Sequence, residues 1–153
     1  GPMTFHDLGR IMALDVGGRR IGVALSDSTR TLASPLTTIR AEPRARALTQ
    51  IATLIADYDV HELVIGLPLT LSGEIGPQAQ LVQAFADELR DKISIPMHMF
   101  DERLTTVAAE RMMQELGIKP ERRKERIDEV AASIILQDYL DTQREEPRIP
   151  HHE

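Results

Sequence analysis

Residues 11–26 read IMALDVGGRRIGVALS, two short β-prone runs on either side of a Gly-Gly-Arg turn at 17–19. This pattern predicts a β-hairpin with strands at 11–16 and 20–26. Asp15 falls near the end of the first strand. A carboxylate after four apolar or small residues needs a partner, a metal ion or an exposed strand end. Alternatively, its side chain caps the turn, as aspartate beside glycine often does.

Strands and helices alternate after this hairpin. The run at 31–39 is predicted as an edge or bulged strand, because Pro35 cannot donate a hydrogen bond to a neighbouring strand. The remaining predicted elements are a helix at 44–58, a strand at 61–66, a helix from Pro77 to about Lys92, a strand at 96–100, a helix from Thr105 or Thr106 to Leu116, a basic loop at 119–126 and a helix at 127–143. This order predicts an α/β fold with a mixed five-stranded sheet flanked by helices.

The composition is typical of an ordinary globular protein. The chain has 153 residues, of which 42% are hydrophobic and 27% charged. No apolar run approaches the roughly 18 residues that cross a bilayer. We therefore expect a single domain at 3–143 and a cytoplasmic protein without a membrane partner. Gly1 and Pro2 are interpreted as an expression-tag remnant, and 144–153 as a flexible C-terminal tail.

The charge and cysteine counts limit the chemistry. No cysteine is present, which excludes disulfides and thiolate metal sites, so any metal is expected to be a hard ion such as magnesium or manganese. The formal net charge of −6 argues against a protein that coats nucleic acid non-specifically. Positive charge is local, at Arg19 and Arg20, at 40–46 and at 119–126. A solvated surface explains the last of these runs equally well.

Two further acids lie where ligands gather in α/β domains. Glu102 follows the strand at 96–100, and ligands collect at the carboxyl ends of such strands. A solvent-exposed turn with a local ion pair to Arg103 is the alternative. Asp128 is expected in the first turn of the last helix, on the same side as Ala131 and facing inward. Its alternative role is to complement the helix dipole.

Together these three acids make a workable metal site. Asp15, Glu102 and Asp128 are therefore the candidate catalytic residues and the candidate ligands of Mg²⁺ or Mn²⁺. Two such ions about 4 Å apart would activate water and stabilise the leaving oxygen when a phosphodiester is hydrolysed.

Four ordered motifs across residues 11–140 resemble the YqgF family of Holliday junction resolvases and pre-16S rRNA nucleases, which are RuvX-like. The motifs are LDVG with RIGVA at 14–24, GLPL with its following glycines at 66–77, DERLTT at 101–106, and ID with AA and ILQ at 127–137. The family is similar in fold to ribonuclease H and the RuvC resolvases and is implicated in maturation of small-subunit ribosomal RNA. The resemblance implies a ribonuclease H-like fold and places the family's acids at Asp15, Glu102 and Asp128.

The resemblance also implies which cations meet the substrate, since an acidic centre repels a polyanion unless cations offset it. The predicted nucleic-acid-binding residues are Arg19, Arg20, Arg103, Arg122, Arg123 and Lys124. Many family members carry an aromatic residue and a threonine where this chain has Val16 and Gly18, which leaves the contacts of that loop open. Aromatic stacking on bases is expected to be minor, because Phe85, Phe100 and Tyr139 lie within regular elements where core packing is the expected role.

The leading hypothesis is a metal-dependent nuclease that processes the precursor of 16S ribosomal RNA, with branched DNA as a second substrate class. The alternative is a non-catalytic nucleic-acid-binding module of the same fold. An actin-like ATPase, suggested by the Asp-Val-Gly-Gly turn, needs two such domains, which 153 residues cannot hold. Junction resolution requires a symmetric homodimer, and the sequence leaves open whether one forms. The sequence also leaves open whether RNA or DNA is the natural substrate, whether cleavage is endo- or exonucleolytic, and how many metal ions bind.

Overall fold

The computed structural model of the protein describes residues 8–70, 72–102 and 106–145. Its strands and helices are β1 (Arg10–Val16), β2 (Arg20–Ser26), β3 (Ala33–Arg40), α1 (Arg44–Asp57), β4 (Val60–Pro68), α2 (Pro77–Arg90), β5 (Met97–Glu102), α3 (Thr106–Glu115) and α4 (Pro120–Glu145). Of the predicted tail, residues 144–145 are helical, and the rest lies outside the described residues, as do Gly1, Pro2 and Arg103. Within the described ranges, no helix has the length and apolar character needed to span a membrane.

The five strands form one mixed sheet in the order β3-β2-β1-β4-β5. β2 pairs antiparallel with both β1 and β3, whereas the β1–β4 and β4–β5 pairs are parallel. The predicted mixed five-stranded sheet is confirmed. Because the parallel strands run the same way, the carboxyl ends of β1, β4 and β5 meet at one end of the sheet, where the amino end of β2 also lies.

β3 is the outer strand beside β2 and is irregular at its proline. Its pairing with β2 shifts register between Val23 and Ala24, and Ala24 faces Pro35. A proline has no N–H to give to a ladder, so the edge position and the shifted register both accommodate it. Both alternatives predicted for this strand, an edge and a bulge, are confirmed together.

Strand alternation divides the side chains of β1 between two cores. Met12, Leu14 and Val16 belong to the larger core, which includes residues of α1 and α2. Ala13 belongs to a smaller core formed with α4. Asp15 continues the second series, so its side chain is on the face that α4 covers.

α4 begins at Pro120, and the predicted basic loop at 119–126 is therefore wrong. Proline suits the first helical position, where an N–H would have no intrahelical partner, and the same signal correctly predicted the start of α2 at Pro77. The basic residues form the first turns of α4, and Asp128 lies in the third turn and not in the first. A role in complementing the helix dipole is thereby excluded for Asp128, because that effect fades within the first turn.

Glycines let α4 lie close against the sheet. A Cβ atom added to Gly22 of β2 would lie 1.9 Å from the carbonyl oxygen of Asp128. A Cβ atom added to Gly66 of β4 would lie 2.7 Å from Cδ1 of Ile135. The backbone of α4 thus packs closely against β2. This close packing places Asp128 next to the strands of the sheet.

A polar network fixes the distal half of α4 at the other end of the sheet. Glu62 accepts hydrogen bonds from Nη1 of Arg30 at 3.2 Å and from the hydroxyl of Tyr139 at 2.7 Å. His98 lies with Nε2 3.1 Å from the same carboxylate, and Arg30 also donates to the Gly9 carbonyl. Burial, and after it the bond and charge of Glu62, raise the pKa of Tyr139 well above its ordinary value. The predicted core role of Tyr139 is confirmed, because its side chain is buried.

Loss of this anchor is expected to weaken the fold. Tyr139→Phe removes the hydroxyl that donates to Glu62 and should lower the free energy of unfolding by about 1.5–3 kcal/mol, the range for a hydrogen bond to a charged group. Tyr58→Phe is the matched control, because the Tyr58 hydroxyl has no hydrogen-bond partner in the described part of the chain. Urea unfolding compares the two variants, and equal stabilities would contradict a bonded role for Tyr139.

Candidate active site

The hairpin register places Asp15 beneath α4. Asp15 is the penultimate residue of β1 and pairs with Gly22 of β2. Gly22 is also the residue that lies under the Asp128 backbone. The β1–β2 pair therefore supplies Asp15, and its Gly22 lets α4 pack closely enough to place Asp128 nearby. Two of the three predicted acids come together in this way.

The Asp15 carboxyl group lies in surroundings that disfavour its charge. Burial first, and the negative charge of Asp128 second, raise the pKa of Asp15 from 3.8 to about 6. The alternative of a turn cap is not supported, because within the described residues the turn amides do not donate to Asp15. The N–H of Gly17 donates instead to the carbonyl of Arg20 at 2.9 Å and closes the turn. A buried carboxylate beside a second one is a costly arrangement and is common at functional sites.

Arg20 is the cation that reaches this pair. Its Nε donates to Oδ2 of Asp128 at 2.6 Å, and the side chains are 54% and 22% exposed. Among the described residues, the two Nη groups of Arg20 have no hydrogen-bond partner. Arg20 thus orients one acid through Nε while its outer nitrogens face solvent, where a phosphate could be met.

Glu102 ends β5 at the same end of the sheet. Its backbone is in register with Pro68, the last residue of β4, which lies between β5 and β1. The side chain of Glu102 lies outside the described set, as does all of Arg103. Among the side chains that the structure does describe, no group of three His, Cys, Asp or Glu residues could hold a metal ion. The described part of the candidate centre is the pair Asp15 and Asp128.

The other predicted cations lie along the first turns of α4. Arg122 is exposed, and Nε of Arg123 donates to the carbonyl of Ile118 at 3.2 Å. The side chain of Lys124 lies outside the described residues. These residues belong to a helix and not to the basic loop that the sequence suggested.

A second group of cations adjoins the acid pair directly. Arg19, Arg20 and Arg40 line an open cavity of about 490 Å³ together with Gly18 and Glu42. Arg40 was not among the predicted binding residues. Arg40 ends β3 in register with Arg20 and therefore shares its face of the sheet, a relation that the strand pattern of either segment alone does not reveal.

Known proteins match the chain over nearly its whole length. Residues 9–142 match a family described as RuvX: Holliday junction resolvase. The chain is 74% identical over 136 residues to a candidate pre-16S rRNA nuclease of Roseiflexus sp. (strain RS-1), covering 89% of this chain and 96% of the relative. It is 58% identical over 141 residues to a protein of the same description from Chloroflexus aurantiacus (strain ATCC 29366 / DSM 635 / J-10-fl), covering 92% of each.

Two solved structures have the same fold at low sequence identity. T. thermophilus RuvC in complex with a Holliday junction substrate matches with a TM-score of 0.58 and 11% identity, over 89% of this chain and 96% of that one. The fowlpox virus resolvase in complex with Holliday junction DNA matches with a TM-score of 0.54 and 10% identity, over 88% and 98%. The predicted ribonuclease H-like fold is confirmed.

Proposed function

The chain belongs to the RuvX family of Holliday junction resolvases, and from this premise we propose that it is a nuclease that hydrolyses phosphodiester bonds of structured nucleic acid. The precursor of 16S ribosomal RNA is the leading substrate, because relatives that are 74% and 58% identical over the 136 and 141 matched residues are described by that activity. Branched DNA is the second substrate class. A cytoplasmic location, where such a precursor would be met, is part of the same proposal.

The observation that carries this proposal is the partly buried carboxyl group of Asp15 close to Asp128. Packing alone does not account for two acids beneath one helix, since the negative charge of Asp128 raises the cost of ionising Asp15. A structural carboxylate would be expected to have a dedicated cation, and the only described ion pair here, from Arg20, goes to Asp128. Among the described residues, Asp15 has no cation paired with it.

The donor set suits a hard divalent cation. Carboxylate oxygens are the preferred ligands of Mg²⁺ and Mn²⁺, and the chain offers no thiolate that would favour softer metals. Asp15 and Asp128 would hold the cation, with Glu102 as the proposed third ligand from the end of β5. When bound, such a cation polarises water for attack on phosphorus and stabilises negative charge on the leaving oxygen.

The chain's own residues orient the substrate. Arg20 keeps Asp128 in place through Nε, and its two Nη groups have no hydrogen-bond partner among the described residues. They are available to bind a phosphate oxygen close to the acid pair, where a planar guanidinium can donate two hydrogen bonds. Arg20 also offsets one of the two negative charges that a phosphate must approach.

The proposal is tested by cleavage of a labelled fragment of precursor 16S ribosomal RNA and of a four-way DNA junction, each with Mn²⁺ and with EDTA. We expect cleavage of the RNA with Mn²⁺ and none with EDTA. Preferential cleavage of the junction would make DNA the substrate. Binding of both probes without cleavage of either would contradict the nuclease and favour the non-catalytic binding module.

A further inference from the structure

We propose that Arg40 and Arg19 form a phosphate subsite that holds the nucleic-acid strand next to the scissile bond. The subsite is the open cavity of about 490 Å³ lined by Gly18, Arg19, Arg20, Arg40 and Glu42. The inference rests on the proposed nuclease function and adds to it a place where the flanking backbone binds. Its ligand class is the phosphodiester of RNA or DNA, whose chemistry is the same in both.

The first support is the placement of like charges across two strands. Arg40 and Arg20 are directly opposed in the β2–β3 register, so their side chains lie on one face as neighbours. Like charges at opposed positions destabilise a sheet. Arg20 has Asp128 as a partner, whereas Arg40 forms no ion pair with any described residue. Among the described residues, no interaction of the Arg40 charge stabilises the fold.

The second support is that the backbone fixes these cations to one another. The N–H of Ala41 donates to the carbonyl of Arg19 at 2.8 Å, which joins the end of β3 to the hairpin turn. Both Arg19 and Arg40 are exposed. A bound phosphate would therefore meet two cations whose backbones are joined, Arg19 in the hairpin turn and Arg40 at the end of β3.

The third support is continuity with the acid pair. Arg20 lines the cavity, and its Nε also donates to Asp128 at 2.6 Å. The cavity therefore adjoins the candidate active site through Arg20. Three arginines line it against one acid, Glu42. The formal net charge of the protein is −6, so this local excess of positive charge is a favourable place for a nucleic-acid backbone to bind. Arg40 thus helps to position the nucleic-acid strand beside the candidate active site.

The test is binding of the same two probes, fluorescently labelled, to the wild type and to Arg40→Gln in EDTA at several salt concentrations. We expect Arg40→Gln to bind about five- to tenfold more weakly, with a salt dependence reduced by about one phosphate contact. Arg40→Lys keeps the charge and should lose less affinity. In cleavage with Mn²⁺, the KM should rise while kcat stays nearly unchanged.

Lys92→Gln is the matched control, because Lys92 is an exposed cation after α2, at the opposite end of the sheet. It should bind as the wild type does. The melting temperature of Arg40→Gln should equal or exceed that of the wild type, since a like-charge pair is removed; lower stability would indicate a structural role. Equal affinities of Arg40→Gln and Lys92→Gln would overturn the subsite while leaving the nuclease intact. A wild type that binds neither probe would overturn the proposed function and the subsite with it.

Discussion

Asp15→Asn is expected to abolish cleavage and, in the absence of metal, to make the protein more stable. The substitution keeps the shape of the side chain and removes the charge that would hold a divalent cation. Cleavage with Mn²⁺ should fall by at least about a hundredfold, which corresponds to a loss of roughly 3 kcal/mol in transition-state stabilisation. Asp128→Asn should lose activity to a similar degree, because both acids belong to the proposed cation site.

The gain in stability follows from the pKa of Asp15. Its carboxyl group titrates at about 6 in the folded chain and near the ordinary value of 3.8 when unfolded. The fold therefore favours the protonated acid, and the wild type loses stability as the pH rises from about 4 to about 6. Above pH 6 the loss is complete and is on the order of 3 kcal/mol at most. Asparagine carries no charge, so the variant does not lose this stability as the pH rises.

Thermal unfolding in EDTA at pH 4 and pH 8 measures the difference. Asp15→Asn and the wild type should unfold at similar temperatures at pH 4, whereas at pH 8 the variant should unfold at a higher temperature. Mn²⁺ should then raise the melting temperature of the wild type and not that of the variant. Asp87→Asn, the same change at an exposed site on α2, is the control. A variant that is less stable than the wild type at pH 8 in EDTA would contradict the electrostatic explanation.

Gly22→Ala is expected to damage both the fold and the site, although it adds a single methyl group. The new Cβ atom would lie 1.9 Å from the carbonyl oxygen of Asp128, and contacts of this kind are essentially never shorter than 3.0 Å. The obstacle is helix backbone, which cannot rotate away. α4 must move off β2 by about 1 Å, with a cost typical of overpacking, roughly 1–3 kcal/mol or more.

The same movement carries Asp128 away from Asp15. A misplacement of about 1 Å in a catalytic group can reduce the rate by roughly a hundredfold. We therefore expect Gly22→Ala to retain the fold at low temperature while losing most of its cleavage activity. Circular dichroism and the cleavage assay at 15 °C separate these two effects.

Two other glycines serve as graded controls for the same change. A Cβ atom at Gly18 would meet nothing within 4 Å, so Gly18→Ala should be close to the wild type in stability. A Cβ atom at Gly66 would meet the flexible end of the Ile135 side chain at 2.7 Å, so Gly66→Ala should be intermediate. An unfolding free energy for Gly22→Ala equal to that of Gly18→Ala would refute the close approach of α4.

Local sequence signals predicted most of the fold. The glycine-assisted turn, the proline in β3 and the proline at the start of α2 each act over a few residues, so their effects could be inferred without tertiary structure. The basic segment misled because its charges suggested a solvated loop. Pro120 was the stronger signal, since proline at a first helical position is compatible with charged residues behind it.

The candidate site was only partly accessible to the same reasoning. The chain order identified Asp15 and Asp128 as acids worth pairing, but their proximity depends on the close packing of α4 against Gly22, which has no side chain in the way. Arg40 was missed because its importance arises from cross-strand register with Arg20, a relation between two segments. Register of this kind has to be added to periodicity before such residues can be found.

The long separation of the two acids along the chain bears on when activity can arise during synthesis. The hairpin that carries Asp15 can form early, but Arg20 and its partner Asp128 are 108 residues apart, and α4 is the last helix described. Chains fold broadly from the amino terminus as they emerge from the ribosome. A nascent chain that has made its hairpin but not yet α4 has no assembled acid pair. If the proposed acid pair is the active site, unfinished copies that are still next to ribosomal RNA would therefore be unable to cut it.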